Sequence, residues 1–291
     1  DRGVEGAILL DAGGGNFAVH ADAFGRKAGW PVIVKPYDGV GSKSVHKVDS
    51  ESHMPRIEWN LGGYIGEKYL AGRLISVDSY SRSGRHTVYA LNEEFPVGAQ
   101  GPAGCNPYVE TRHELPARLS EHEARHIAEL VEAVLGALEI REGASHTEIL
   151  LTESGPRLLE CHTRPGGDHI TDMYQQCTGI DLVELAIGGP LGLCTPPPAP
   201  QQFAHGAAML YFTPPPGRLT AVTGLERSAN LPGVVLLSLG CRPGAEVAEL
   251  KSSSDRIGYV MAIGPNSQAA TATCQRVEQL VKIEVHPRPA V

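Results

Sequence analysis

Two acidic side chains set to face each other across a tight hairpin constrain this chain more than any other feature of its sequence. The runs His146 to Leu151 and Arg157 to Cys161 read as strands, and Thr152-Glu-Ser-Gly-Pro156 between them has hairpin chemistry. A hairpin turning on Ser154 puts Glu148 directly opposite Glu160, with Cβ atoms about 5 Å apart, and places Leu150 and Leu158 on the same face. Like charges at that spacing repel, and burying them beside leucines is costly unless a cation sits between them or one carboxyl is protonated. Mg²⁺ bound to a nucleotide takes hard oxygen ligands and keeps phosphate oxygens in its shell, so a stiff carboxylate pair suits it. The plainer alternative is two glutamates exposed at a hairpin edge.

Directly after Glu160 comes His162-Thr-Arg-Pro-Gly-Gly-Asp-His169, a polar stretch opened by two glycines. Arg164 in it is placed to stabilise charge that builds on a transferring phosphoryl group, or else is a surface arginine in an ion pair.

Upstream, Pro31 to Lys35 is a β-branched strand that runs into Asp38-Gly-Val-Gly-Ser-Lys43, and Ser44 to Val48 is a further strand. Lys35 therefore stands beside a turn whose bare backbone N–H groups at Gly39, Gly41 and Ser42 can wrap phosphate oxygens. The turn lacks the GxxxxGK[ST] spacing of a P-loop, and a Gly-rich hairpin turn of purely structural purpose fits it too. A strand over Gly63 to Leu70 ends in Glu67-Lys-Tyr-Leu70, which could offer backbone groups and a carboxylate to an adenine edge, or be an edge strand with a solvated Glu-Lys pair.

The remaining pattern is α+β. Residues 75 to 80 and 87 to 91 alternate like paired strands. Ser120-x-x-Glu123 is a capping box ahead of Ile127, Leu130, Val131, Val134, Leu135 and Leu138, which predicts a helix over 121 to 139. Pro196-Pro-Pro198 with Pro200 marks a stiff linker. Beyond it, short strands near 206 to 212, 219 to 223, 233 to 239 and 257 to 263 precede a helix at 267 to 280. The apolar run Ala7 to Leu10 leads into Gly13-Gly-Gly15 and reads as the end of a preceding domain.

Composition excludes several classes. A 291-residue chain with 42% hydrophobic and 20% charged residues is ordinary for a globular protein, and a net charge of −8 without basic runs argues against a nucleic-acid surface. Six scattered cysteines with no CxxC pair suit free thiols in a reducing cytosol rather than disulfides or zinc. No apolar stretch approaches the ~20 residues of a membrane span, so a cytoplasmic protein without membrane partners is expected.

In chain order, Lys35-Pro with Gly39-Val-Gly-Ser42, Glu67-Lys-Tyr-Leu-Ala-Gly72, His146-Thr-Glu-Ile149 and Leu159-Glu-Cys-His-Thr-Arg-Pro-Gly-Gly167 resemble the ATP-grasp superfamily. Within it, Tyr108-Val-Glu-Thr-Arg-His113 and the stretches Tyr211 to Arg218 and Asp255 to Val260 are similar to the L-amino acid ligases, over roughly residues 16 to 285. The resemblance implies two α+β lobes clamping ATP (15–65 and 66–199), a C-terminal α+β lobe (200–291), and residues 1–14 as the remnant of an N-terminal α/β domain. It further implies ADP-forming carboxylate–amine ligation through an acyl phosphate, with ATP and Mg²⁺ (or Mn²⁺) as cofactors and small carboxylate and amine substrates. A homodimer is compatible with it.

By motif position, Lys35, Gly39, Gly41 and Ser42 would hold phosphates, and Glu67, Lys68, Tyr69 and Leu70 would meet adenine. Glu148 and Glu160 would bind the metal, and Arg164 would stabilise the acyl phosphate. Glu110 and His113 would lie at the amino acid pocket, with Glu110 facing the substrate ammonium or a second metal. Gly166, Gly167, Asp168 and His169 would shape the acyl-substrate pocket, and Asp168 there is expected to favour a cationic or strongly polar acyl substrate. The chain departs from the family at His162, where an asparagine is usual, and at Leu74, where relatives carry a ribose-binding glutamate. Residues 1–29 are also too few for the domain and the additional lysine-bearing segment that relatives place before the phosphate loop, so omitted stretches are expected. Rival readings are an ATP-grasp ligase for a non-amino-acid carboxylate in secondary metabolism and an inactive ATP-binding regulatory module.

Overall fold

The structure is a computed structural model that describes residues 8–10, 25–53, 63–200 and 202–287. The expected glycine run at Gly13 to Gly15 and most of the link from Val48 to Gly62 lie outside the described residues. The chain divides into two compact units: Asp1–Ala71 with Val97–Val109 and Glu249–Asp255, and Gly72–Pro96 with Glu110–Ala248 and Arg256–Val291.

The first unit is built on an antiparallel sheet of β1 (Ile8–Leu10), β2 (Val32–Pro36), β3 (His46–Val48) and β4 (Tyr64–Lys68), in the order β1-β4-β2-β3. Strand alternation sorts its side chains. Val32, Val34, Val48 and Tyr64 are fully buried in one cluster with Ala28 and Trp30 against it, while Ile33 and Lys35 point to the other face.

The second unit is organised around an eight-stranded sheet. Its strands are β5 (Arg73–Arg82), β6 (Arg85–Pro96), β7 (Glu110–Leu115), β8 (Gly143–Thr152), β9 (Gly155–His162), β10 (Gly206–Phe212), β12 (Val234–Leu239) and β14 (Gly258–Gly264). They lie in the order β12-β14-β10-β7-β6-β5-β8-β9, with every pairing antiparallel. A separate three-stranded sheet joins β11 (Gly217–Thr223), β13 (Glu246–Val247) and β15 (Lys282–His286). Of the strands after the Pro-rich stretch, β10, β12 and β14 thus continue the same large sheet.

One face of that sheet is covered by helices α1 (Glu121–Ala137) and α5 (Ser267–Leu280), with the short α4 (Leu225–Ala229) packed against β12 and α5. In α1, Ser120 Oγ accepts the Glu123 backbone N–H while the Glu123 carboxylate accepts the Ser120 N–H, so both orphan donors are satisfied. Ile127, Val131 and Leu135, at helical spacing, bury on Ile75, Val77 and Ile149. The opposite face packs α2 (Ile170–Thr178) and α3 (Leu182–Gly188) through Met173, Tyr174, Cys177, Leu182 and Leu185 against Tyr80, Met209 and Met261. The six cysteines are free, and among the described residues no helix is long and apolar enough to cross a membrane.

Candidate active site

Within the first unit, the turn after β2 holds three left-handed residues, Gly41, Ser42 and Ser44, with φ of 60°, 57° and 60°. Such a turn aims successive backbone N–H groups to one side. Gly41 has little room for a side chain, since a Cβ would sit 3.3 Å from Ser253 Cβ. Asn106 ties this turn down: its Nδ2 donates to the Ser42 carbonyl at 2.6 Å and to the Lys251 carbonyl at 3.0 Å, and its backbone N–H donates to the Leu250 carbonyl. The Ser253 N–H donates to the Gly41 carbonyl at 3.0 Å. Lys35 Nζ lies 3.0 Å from Glu67 Oε2 on the neighbouring strand, so this expected phosphate-binding cation and this expected adenine contact are partners in the structure. Lys68 is exposed, and the Tyr69 ring lies under Lys47 Nζ at 4.9 Å. Leu70 is half-buried.

In the second unit, strand alternation gathers a polar patch on the sheet face opposite α1. Glu148 is the register partner of Glu160, and it also pairs with Ser76 on β5. The opposition depends on a bulge. From the turn outward Thr152 faces Gly155, Leu150 faces Arg157 and Ile149 faces Leu158, and then Leu159 is skipped so that Glu160 meets Glu148. Leu150 and Leu158 therefore do not share a face, contrary to the reading of a regular hairpin. Leu158 turns toward the α1 side with Ile75 and Ile149. A bulge of this kind re-aims side chains beside a site.

The electrostatics follow from that placement. Burial first, then the charges of Glu94, Glu160 and Glu110 and a hydrogen bond with Glu160, push the Glu148 carboxyl well above its ordinary value. Burial and the Glu94 charge likewise push Glu110 up to about 7. Carboxyls crowded this way hold protons or wait for a cation. Among the described residues no group of three protein side chains is arranged to hold a metal. The donor set is thus two opposed carboxylates, which fits a hard divalent ion that takes its remaining oxygens from elsewhere. His162 bonds Glu160 Oε1 through Nε2 at 2.8 Å.

Glu110 and His113 come together on β7 next to Glu94 and Asp168. His113 is 1% exposed, with Nε2 3.5 Å from Asp168 Oδ2 and Nδ1 4.0 Å from Glu94 Oε2, and neither nitrogen makes a well-formed hydrogen bond. Arg256 grips Asp168 in a two-pronged pair, Nη1 to Oδ2 at 2.8 Å and Nη2 to Oδ1 at 2.7 Å. The same guanidinium donates to the Glu110 carbonyl at 3.1 Å and stacks 3.7 Å over the Tyr211 ring, whose hydroxyl donates to the Asp168 carbonyl. Burial would raise the Asp168 carboxyl, but His113 and Arg256 outweigh it and hold the group below the usual carboxylate range. This corrects the expectation that Asp168 seeks a cationic substrate, because Arg256 already supplies the positive partner.

Asp168 and His169 both adopt left-handed φ, at 51° and 61°, and His169 begins α2 with its Nδ1 2.6 Å from Asp172 Oδ2. Gly166 is half-buried and Gly167 exposed. Arg164 Nη1 donates to the Pro165 carbonyl, and among the described residues Arg164 forms no ion pair. Sequence reasoning missed Asn106, Asp78, Glu94 and Arg256. Each sits far in sequence from the group it touches, and only strand alternation gave a signal for Glu94 and Asp78.

The class is the ATP-grasp superfamily: residues 28–172 match the ATP-grasp domain. Residues 210–286 then match the L-amino acid ligase C-terminal domain 2, so the chain carries both parts in the expected order. An L-arginine-specific L-amino acid ligase of Bacillus subtilis is 27% identical over 245 residues, covering 80% of this chain and 57% of that protein. An uncharacterized protein y4rH of Sinorhizobium fredii is 24% identical over 276 residues, 93% of this chain and 56% of its own length. The chain thus spans a little over half the length of these relatives. An L-amino acid ligase from Bacillus licheniformis superposes with a TM-score of 0.72 at 19% identity over 93% of this chain and 72% of that one, which shows the fold.

Proposed function

We propose that the chain catalyses ATP-dependent joining of a carboxylate to an amine, with an amino acid as the carboxylate and a second amino acid or amine as acceptor. The observation that carries this reading is the opposed Glu148–Glu160 pair on an ATP-grasp sheet. The match to the L-amino acid ligase C-terminal domain supports the substrate class.

In this reading the substrate carboxylate oxygen attacks the γ-phosphorus of ATP and ADP leaves. The amine nitrogen then attacks the acyl carbon, inorganic phosphate departs, and one proton is released as the amide forms. Lys35 and the backbone of Gly39, Gly41 and Ser42 bind phosphate oxygens in the first unit, while Glu67, Lys68, Tyr69 and Leu70 flank adenine. Glu148 and Glu160 would hold Mg²⁺, which neutralises phosphate charge when bound. Arg164, without an acidic partner among the described residues, faces the negative charge of the acyl phosphate. Glu110 and His113 form the amino acid pocket, and the Gly166–His169 segment forms its acyl side.

Mass spectrometry of reactions holding ATP, Mg²⁺ and pooled amino acids tests the proposal. ADP together with a dehydrated two-component adduct is expected; ATP binding with no ADP across the pool and a wider carboxylate panel would overturn it.

A further inference from the structure

Asp78 on β5 is a buried carboxylate, 2% exposed, that neither the metal pair nor the Arg256 cluster uses. Among the described residues no lysine or arginine pairs with it. Its Oδ1 accepts the Gly166 backbone N–H at 2.7 Å and lies 3.3 Å from His146 Nδ1, and its Oδ2 is buried without a hydrogen-bond partner. His146 is its register partner on β8, two residues before Glu148. The pairing of β5 with β6 slips by one residue directly after Asp78, a bulge that alters the local pleat.

Gly166 completes the contact. A Cβ there would lie 2.9 Å from both Asp78 Oδ2 and His146 Nδ1, so a side chain at this position would push the segment away from the sheet. A carboxylate taken out of water costs several kcal/mol unless its oxygens are answered, and here one backbone amide and one imidazole answer Oδ1 while Oδ2 stays unanswered. What that cost secures is the position of one amide, two residues after Arg164 and two before Asp168. Asp168 is fixed in turn by Arg256, so the two-glycine segment is held on both sides by side chains from elsewhere in the chain.

We propose that Asp78 is a positioning residue for the Arg164–His169 segment: its carboxylate fixes the Gly166 amide and so sets where Arg164 and the substrate-facing backbone stand. The consequence for rate rests on the ligase reading above; the anchoring itself does not. A displacement of about 1 Å at a reacting centre is enough to lower the rate about 100-fold.

The test compares the full chain with its Asp78→Asn and Asp78→Ala variants. Asn keeps an oxygen that can accept the Gly166 amide, whereas Ala does not. Hydrogen exchange of the peptide containing Gly166 should stay slow in the wild type and in Asp78→Asn, and become at least tenfold faster in Asp78→Ala, with peptides of β10 and α5 unchanged. For ADP formation, Asp78→Ala should lower kcat about 100-fold and leave KM for ATP within twofold, and Asp78→Asn should recover kcat to within tenfold of the wild type. If the Ala variant does not fold, Asp78→Ser, too short to reach the amide, takes its place with the same expectations. Unchanged exchange at Gly166 without the carboxylate, or equal kcat loss in the Asn and Ala variants, overturns the proposal. A wild type that makes no ADP from any carboxylate sinks the ligase reading instead, and the exchange measurement then decides the anchor by itself.

Discussion

Replacing Arg256 by alanine should destabilise the second unit by about 3 kcal/mol, and the structure accounts for where that comes from. Arg256 has 7% of its side chain exposed and Asp168 has 32%. Breaking a buried ion pair by removing one partner costs ~3–5 kcal/mol. Asp168 keeps about a third of its side chain in water, and solvent screening there brings the loss down to ~2 kcal/mol. The lost stacking on Tyr211 adds ~0.5–1 kcal/mol. Arg256→Lys keeps the charge but not the two-pronged geometry and should lose about half as much.

The pH dependence has a definite sign. The Asp168 carboxyl is depressed in the folded chain, so its contribution is complete above the unfolded value of about 4 and is lost as pH falls through the lower folded value. The gap between wild type and Arg256→Ala should therefore narrow as pH is lowered from 5 toward 3. Urea unfolding followed by circular dichroism, with Asp168→Asn and the double variant completing a cycle, measures it. A loss under 1 kcal/mol, a coupling near zero, or a gap that widens on acidification would refute the reasoning.

Two further substitutions probe motif glycines and their supports. Gly72 ends the Glu67 to Gly72 motif because the Leu151 carbonyl of β8 approaches it, so that a Cβ would lie 2.8 Å from that oxygen. Gly72→Ala should cost ~1–3 kcal/mol by overpacking, read as a lowered urea midpoint. Asn106→Ala removes the Nδ2 bonds to the Ser42 and Lys251 carbonyls that steady the turn after β2; on the proposed role of that turn in holding phosphates, the dissociation constant for ATP, measured by calorimetry, should rise about tenfold, the equivalent of one or two hydrogen bonds.

Local chemistry was the legible part of this sequence. The capping box at Ser120 and the glycine turn after Lys35 each encode their geometry within a few residues, and the structure has both; the hairpin after β8 turns between Glu153 and Ser154, where the sequence reading centred it on Ser154. The opposition of Glu148 and Glu160 could be read because the hairpin is short, although the reading assumed a regular ladder and so misplaced Leu158. Helix α2 keeps apolar residues at helical spacing, Ile170, Met173, Tyr174 and Cys177, but His169 enters it in a left-handed conformation without a side-chain cap, so nothing marked its start. Long-range partners carried no local signal. Arg256 meets Asp168, and Asp78 meets Gly166, each across 88 residues of sequence. The charge of Asp168 read alone suggested a cationic ligand, when its cation lay in a distant segment.

Manganese binding in the presence of a non-hydrolysable ATP analogue, followed by electron paramagnetic resonance, tests the central assignment most directly. Glu148→Gln and Glu160→Gln should each weaken Mn²⁺ binding at least about tenfold, or about 1.4 kcal/mol, with the fold retained by circular dichroism. Either variant binding Mn²⁺ as tightly as the unaltered chain would contradict the assignment of the two carboxylates as a shared metal site.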